Sequence, residues 1–182
     1  MNRMSQVPDP HHQRAKRSLS SLAWIPGEAR WLAAAGMLRG RVWSLAQVCE
    51  HLALSMEGTI HPIEHSAPQH DARRRWFSSI RRVFVKHAVL ISGRLPDGLP
   101  AQPFVRPSDS PPLDPTIRRL GTAIEALERK LAEPAARWPR HPVFGELSGR
   151  QWLRFHALHA RHHFARFDRP GSAPAGVDAM RK

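Results

Sequence analysis

The sequence predicts an all-α protein: a four-helix bundle with a short extra N-terminal helix and a long proline-rich crossover loop. Apolar residues recur at the helical period in five segments, and capping residues or prolines mark several of their starts. No alternating strand pattern is bounded by hairpin turns, since the β-branched runs 83–85 and 89–91 lie inside longer helical periods. With 182 residues and 41% hydrophobic content, the chain is long enough for one domain with a core.

Both ends of the chain are expected to be disordered. Residues 1–22 contain Pro, His, Ser and basic residues with almost no apolar content, and residues 169–182 begin with a similar composition. The packed domain is therefore predicted to cover residues 23–168. Its first element is a weak helix over about residues 26–38, which has a proline near its first position and ends before Gly40.

Two firmer helices follow. One runs from Ser44 to Met56: Ser44 and Gln47 have the spacing of a capping box, in which each side chain satisfies a backbone group of the other. Gly58 is expected to end this helix. The next helix covers roughly residues 71–91 and is ended by a glycine and a proline.

The C-terminal half has a crossover and two helices. Six prolines from Pro96 to Pro112 exclude regular helix and predict an extended loop. The following helix starts with Asp114 as its cap, followed by a proline at the first helical position, and continues to Leu131. The last helix begins at Ser148, which forms a second capping box with the glutamine three residues later, and runs to about Phe167.

The net charge of +13 raises nucleic acid as a partner, but the distribution of the charge argues against it. The excess is mostly arginine, with only four lysines, and it is spread along the chain. The densest basic cluster, between residues 73 and 86, is interleaved with apolar residues, which is typical of an amphipathic helix with a solvated side. The sequence has no zinc-finger spacing and no motif of a nucleic-acid-binding β-sheet. Binding to nucleic acid or to an anionic membrane surface is therefore the less favoured hypothesis.

The protein is expected to be cytoplasmic and to have no membrane span. No run approaches the roughly 20 uncharged apolar residues that a spanning helix needs. Residues 13–36 resemble a signal peptide, but Pro26, Glu28 and Arg30 interrupt the apolar part. A single cysteine, Cys49, excludes an internal disulfide and fits a reducing compartment.

The last predicted helix is rich in histidine, with four of the twelve histidines falling between residues 156 and 163. At about 100° per residue, His156, His159 and His163 share the apolar face of this helix. The opposite side carries three arginines, at positions 150, 154 and 161, so the imidazoles are expected to point inward. Buried imidazoles need polar partners, and a bound metal ion satisfies several of them at once.

His159 and His163 are four residues apart, so their side chains converge and both can bind one ion. We propose His51 as the third ligand, because it lies at the edge of the buried stripe of the helix that starts at Ser44. That position equally suits a half-exposed histidine bonded to a backbone carbonyl, and spacing alone leaves both readings open. Gln47, one turn before His51, is a candidate for orienting it.

Two segments resemble the DinB superfamily. Residues 43–52 (WSLAQVCEHL) look like its ligand-bearing second helix. HPVFGELS at 141–148, followed by QW at 151–152, FH at 155–156 and HARHH at 159–163, looks like one uncharacterised subfamily. Superfamily members often continue the last motif with Arg-Gly-Gln, whereas this chain has Phe164-Ala165-Arg166, so the role of those polar residues does not carry over.

The resemblance covers about residues 26–167, and it implies an up-down-down-up four-helix bundle with a three-histidine site for a divalent metal. By position, the metal ligands are His51, His159 and His163. Characterised relatives include metal-dependent thiol transferases and isomerases that use low-molecular-weight thiols, and many members have no assigned reaction.

The leading functional hypothesis is an enzyme dependent on a divalent ion, such as Zn, Ni or Fe, that acts on a small-molecule substrate. A thiol-dependent transferase or isomerase and a hydrolase are the two reaction classes, because three imidazoles leave one position for water or substrate. His156 is the candidate catalytic residue, acting as support for a ligand, proton shuttle or alternative ligand, against the reading that it only packs. Cys49 is expected to be a core residue, and His162 a surface or interface residue.

The alternative class is a non-catalytic metal-binding or interaction protein, in which the ion stabilises the bundle. A water-accessible pocket at the open metal position would favour catalysis over this alternative. A homodimer is a further expectation, because the amphipathic helix at 71–91 has enough apolar surface for a second buried face.

Overall fold

A computed structural model describes residues 18–40, 42–61, 89–95 and 103–167. This part of the chain is mostly helical, which confirms the all-α class. Residues 89–92 are helical as well. The four α-helices with described bounds are α1 (Trp24–Ala34), α2 (Leu45–Ile60), α3 (Leu113–Ala132) and α4 (Gly149–Phe164).

Helix α1 lies closer to the N-terminus than the predicted range of residues 26–38. The helix ends before Gly40 as predicted, but at Ala34 instead of about residue 38, because Gly36 adopts a φ of +73° and takes the chain out of the helix. This left-handed conformation is one that glycine adopts without a steric penalty. Leu22, which the sequence analysis places in the N-terminal tail, is fully buried against the core.

Helix α2 begins at its predicted cap. Ser44 Oγ accepts the N–H of Gln47, and Gln47 Oε1 accepts the N–H of Ser44, so the capping box is confirmed. The predicted stop at Gly58 is wrong, since the helix continues to Ile60. Lys130 of α3 explains the later end, because its Nζ donates a 2.8 Å hydrogen bond to the Ile60 carbonyl, an acceptor left over at the helix terminus.

The two C-terminal helices lie close to their predicted ranges. The predicted cap at Asp114 is wrong, because Asp114 lies in the first turn of α3 and the capping position is Pro112, which makes no side-chain cap. In α4 the capping box of Ser148 and Gln151 is confirmed. The helix ends about one turn before Phe167, the predicted end.

Short strands correct the expectation that the chain has none. Arg140–His141 pairs antiparallel with Gly145–Glu146 in the loop before α4. Pairs this short leave no alternating pattern in the sequence, which is why the periodicity test missed them. In the proline-rich crossover, Pro103–Val105 forms a 3-10 turn where an extended loop was predicted.

The predicted helix over residues 71–91 lies outside the described residues except at its end. The basic cluster between residues 73 and 86 lies wholly outside them. Two arginines that were expected on the solvent side of the last helix contact the end of this segment. Arg154 Nε donates to the Leu90 carbonyl at 2.7 Å, and Arg161 donates to the Gly93 carbonyl, so both side chains are half-buried.

The buried apolar residues form two clusters, and each cluster includes residues of α4. Helix α2 packs chiefly on α3, and both α1 and α2 contact α4. A second apolar cluster on α4 joins residues 89–90 to the loop before that helix. Within the described residues, no helix has both the length and the apolar character needed to cross a membrane.

Candidate metal centre

Three imidazoles from two helices meet at one point. His51 Nε2, on α2, lies 3.0 Å from His159 Nε2, on α4. His163 Nε2, one turn further along α4, lies 3.1 Å from the same His159 nitrogen. The structure therefore brings together the three histidines that the sequence analysis proposed as metal ligands, across a separation of 108 residues between His51 and His159.

A backbone carbonyl fixes the proton of His51. His51 Nδ1 lies 2.7 Å from the carbonyl oxygen of Val105, in the crossover between α2 and α3. A carbonyl only accepts hydrogen bonds, so Nδ1 carries the hydrogen of the neutral ring. The lone pair of His51 is consequently on Nε2 and points at the other two imidazoles.

Hydrogen bonds alone satisfy this arrangement poorly. If His159 Nε2 donates, its single hydrogen must serve the two neighbouring nitrogens at once. If it accepts, His51 Nε2 offers only a lone pair in return, and two lone pairs face each other at 3.0 Å. A cation between the three nitrogens removes the conflict, because each imidazole can then direct a lone pair at it.

The three rings are in the neutral form that a metal requires. Burial, together with a smaller effect of the neighbouring His51 ring in the same direction, lowers the pKa of His163 to about 3. Burial also lowers the pKa of His159 well below its usual value. The pKa of His51 is lowered by burial as well, although its bond to Val105 opposes part of that shift.

The geometry and the donor set fit a single ion. One ligand atom from each histidine lies within 4.8 Å of the other two. Within the described part of the chain, these three histidines are the group whose ligand atoms lie close enough together to hold a metal ion. Metal–nitrogen bonds of about 2.0 to 2.1 Å in a tetrahedral site place neighbouring ligand atoms about 3.3 Å apart. The observed 3.0 and 3.1 Å separations therefore need only a small outward adjustment.

Aromatic rings surround the imidazoles. Trp43 lies 4.8 Å from His51 and stacks on His163 at 5.8 Å, both measured between ring centroids. Phe155 stacks on His159 at 5.3 Å. These rings give the imidazoles an apolar surrounding, which strengthens electrostatic interactions at the site.

Sequence reasoning missed two of these contributors. Trp43 directly precedes the capping Ser44, which marks it as a residue that packs at a helix start, but nothing in the spacing places it against His163. Val105 acts through its backbone carbonyl, which every residue carries, so no side-chain pattern could have identified it. Gln47 Nε2 donates to the carbonyls of Ser108 and Asp109, in the segment that carries Val105, so the predicted orientation of His51 by Gln47 would act through that segment.

His156 lies outside the group of three imidazoles. It is fully buried, its Nε2 lies 3.1 Å from Thr59 Oγ1, and its ring stacks on Trp152. Burial lowers the pKa of His156 to about 3. The buried Nδ1 atoms of His156 and His159 have no hydrogen-bond partner within the described ranges. These contacts give His156 a packing role, and its catalytic role stays a prediction.

The two remaining candidates lie where the sequence placed them. Cys49 is fully buried in the core, and burial raises the pKa of its thiol to about 12, which keeps it in the unreactive thiol form. His162 is half-buried beside His163, with the ring centroids 5.5 Å apart.

A family model described as "Protein of unknown function (DUF1569)" matches residues 13–170. No curated protein and no solved structure matches the chain.

Proposed function

The chain belongs to the family described as a protein of unknown function (DUF1569), and we propose that it is an enzyme dependent on a divalent metal ion. The observation that carries the proposal is the convergence of His51, His159 and His163. The proton of His51 is held on Nδ1, which leaves the lone pair of Nε2 directed at the other two histidines. The match covers most of the chain, so helices α1 to α4 all lie within the family domain.

The ligand count supports a catalytic ion over a structural one. Structural zinc sites are closed by four protein ligands, whereas catalytic sites commonly have three and leave a position for water or substrate. An ion held here would supply a Lewis-acid centre for a bound water or thiolate. Nitrogen ligands suit Zn, Ni or Fe, and the relative affinities of these ions do not identify the native one.

The chain's own residues prepare the site in three ways. Val105 orients His51, so that its lone pair is available without a rearrangement. Trp43 and Phe155 pack against the imidazoles and give them an apolar surrounding. His159 and His163 are half-buried as residues, which supports access for a small-molecule substrate.

The resemblance to the DinB superfamily extends the proposal to a reaction class. If the chain shares the superfamily fold, its helices form an up-down-down-up four-helix bundle. The reaction would then be a thiol-dependent transfer or isomerisation with a low-molecular-weight thiol as cosubstrate. A hydrolase is the second reaction class, because the same open position accepts water.

Cobalt substitution tests both the open position and the thiol. We expect the Co²⁺-loaded protein to develop a thiolate-to-cobalt charge-transfer band on addition of glutathione, because the thiolate would occupy the fourth position. S-methylglutathione is the matched control, since it has the same peptide and no thiol, and it should leave the spectrum unchanged.

The other outcomes separate the alternatives. A spectrum that responds to azide but to no thiol would support an open site and contradict the thiol-dependent class. A spectrum that responds to neither would contradict the enzyme proposal. It would support the non-catalytic alternative, in which the ion only links α2 to α4. The low exposure of His51, 4%, also fits that role.

A further inference from the structure

The crossover between α2 and α3 carries the carbonyl that orients His51, and side chains hold that crossover in place. We call residues 103–109 the crossover segment. Only residues 103–105 form a 3-10 turn; the rest has no regular backbone pairing, so contacts with α2 decide where the Val105 carbonyl lies.

Glu50 is the acidic side chain that fastens this segment to α2. Its Oε2 accepts the N–H of Ser108 at 2.8 Å and the Ser108 hydroxyl at 2.7 Å. Glu50 directly precedes His51 in the sequence, and its side chain is only 15% exposed. Hydrogen bonds to an ionised carboxylate are stronger than those between neutral groups, so this pair of bonds is a firm attachment point.

We propose that Glu50 is a positioning residue for the metal ligand His51. It holds Ser108 beside the two bonds that Gln47 Nε2 donates to the Ser108 and Asp109 carbonyls, and so helps to keep the Val105 carbonyl 2.7 Å from His51 Nδ1. That bond keeps the hydrogen on Nδ1 and the lone pair of Nε2 directed at His159 and His163. The inference rests on the proposed function, because it assigns Glu50 a role in metal binding at that site.

The chain contains a matched control for this role. Arg119 of α3 pairs with Glu57 through two hydrogen bonds of 2.8 and 2.7 Å, and it lies 3.6 Å from Glu50 Oε1. Both carboxylates therefore lie on α2 and contact the same guanidinium. Of these two carboxylates, only Glu50 is bonded to the crossover segment. A general loss of α2–α3 pairing would therefore follow from either substitution, whereas a specific loss of His51 positioning would follow only from the substitution of Glu50.

Zinc affinity should separate the two carboxylates. We expect Glu50→Ala to weaken Zn²⁺ binding by about 10-fold or more in a chelator competition, as lost support behind a ligand typically does. Glu57→Ala should leave zinc affinity at the wild-type value. Glu50→Gln keeps an acceptor oxygen for Ser108 and should restore most of the affinity. If Glu50→Ala does not fold, Ser108→Ala, which removes one of the two bonds, should show a smaller loss in the same direction.

A second readout does not depend on metal. In the metal-free protein, nitrogen-15 NMR of the imidazoles should show His51 as the Nδ1–H tautomer in the wild type and in Glu57→Ala, and as a mixture in Glu50→Ala. An equal loss of zinc affinity in Glu50→Ala and Glu57→Ala would contradict the inference, as would unchanged affinity and tautomer in Glu50→Ala. A wild-type protein that binds no zinc would contradict the proposed function instead, while the tautomer comparison would still decide the role of Glu50.

Discussion

Replacing His51, His159 or His163 by alanine is expected to weaken Zn²⁺ binding by far more than roughly 10- to 100-fold. That smaller loss is typical when a residue that hydrogen-bonds to a metal ligand is removed. Each ring supplies one of three nitrogens, and two imidazoles that share one α-helix hold an ion much more loosely than three from two helices. The measurement is a chelator competition on protein purified without nickel resin. His51→Ala is the most informative variant, because it removes the only ligand on α2.

His162 provides the control for these substitutions. It lies on α4 beside His163 but is not one of the three converging residues. His162→Ala should therefore leave zinc affinity close to the wild-type value. Full metal retention in both His51→Ala and His163→Ala would reject the site, because the remaining imidazoles would then be sufficient by themselves.

The metal-free protein is expected to lose stability steeply as the pH falls below about 6.5. Burial lowers the pKa of His141 to about 4 and the pKa of His156 and His163 to about 3, against a usual value of 6.5. Above pH 6.5 these rings are neutral in both the folded and unfolded states and contribute nothing to the pH dependence. Below it, only the unfolded chain binds the protons, so unfolding becomes more favourable until the pH passes through the folded-state pKa values.

The size of this effect follows from the number of buried rings. Each ring contributes about 1.4 kcal/mol per pH unit in the window between its two pKa values, so these three contribute about 4 kcal/mol per unit. The lowered pKa values of His159 and His51 add to the slope in the same direction. A domain with an unfolding free energy of roughly 5 to 15 kcal/mol would lose a large part of it within two pH units. Urea unfolding in a metal chelator, at a series of pH values from about 7 to 5, measures the slope.

One substitution identifies the source of the slope. His156→Leu removes one of these buried rings and leaves the Thr59 hydroxyl its 3.0 Å bond to the Ser55 carbonyl. The slope should fall by the contribution of one ring, about 1.4 kcal/mol per pH unit. An unchanged slope would show that His156 is protonated in the folded state, contrary to its complete burial.

Local chemistry made parts of this structure predictable from the sequence. Ser44 and Ser148 start their helices as expected, because a capping box needs only two side chains three residues apart. The convergence of His159 and His163 likewise follows from a spacing of four on one helix. The third ligand was a hypothesis about a helix edge, and the structure places His51 close enough to His159 and His163 to share a metal ion with them.

The remaining features depend on contacts between residues distant in the sequence. Helix α2 continues past Gly58 because Lys130, 70 residues beyond Ile60, bonds its last carbonyl. The orientation of His51 comes from the backbone of Val105, and the fixing of that backbone comes from a bond between residues 58 apart. No local pattern encodes such pairs, since propensity and periodicity report only on neighbours along the chain.

The central claim is that imidazoles from α2 and α4 bind one divalent ion and leave it an open position. X-ray absorption on the zinc-loaded wild-type protein tests this most directly, because it counts the imidazoles around the ion. We predict one zinc per chain with three imidazole nitrogens at about 2.0 to 2.1 Å and one further light ligand. A protein that retains no zinc, or a zinc with fewer than three imidazoles, would contradict the account.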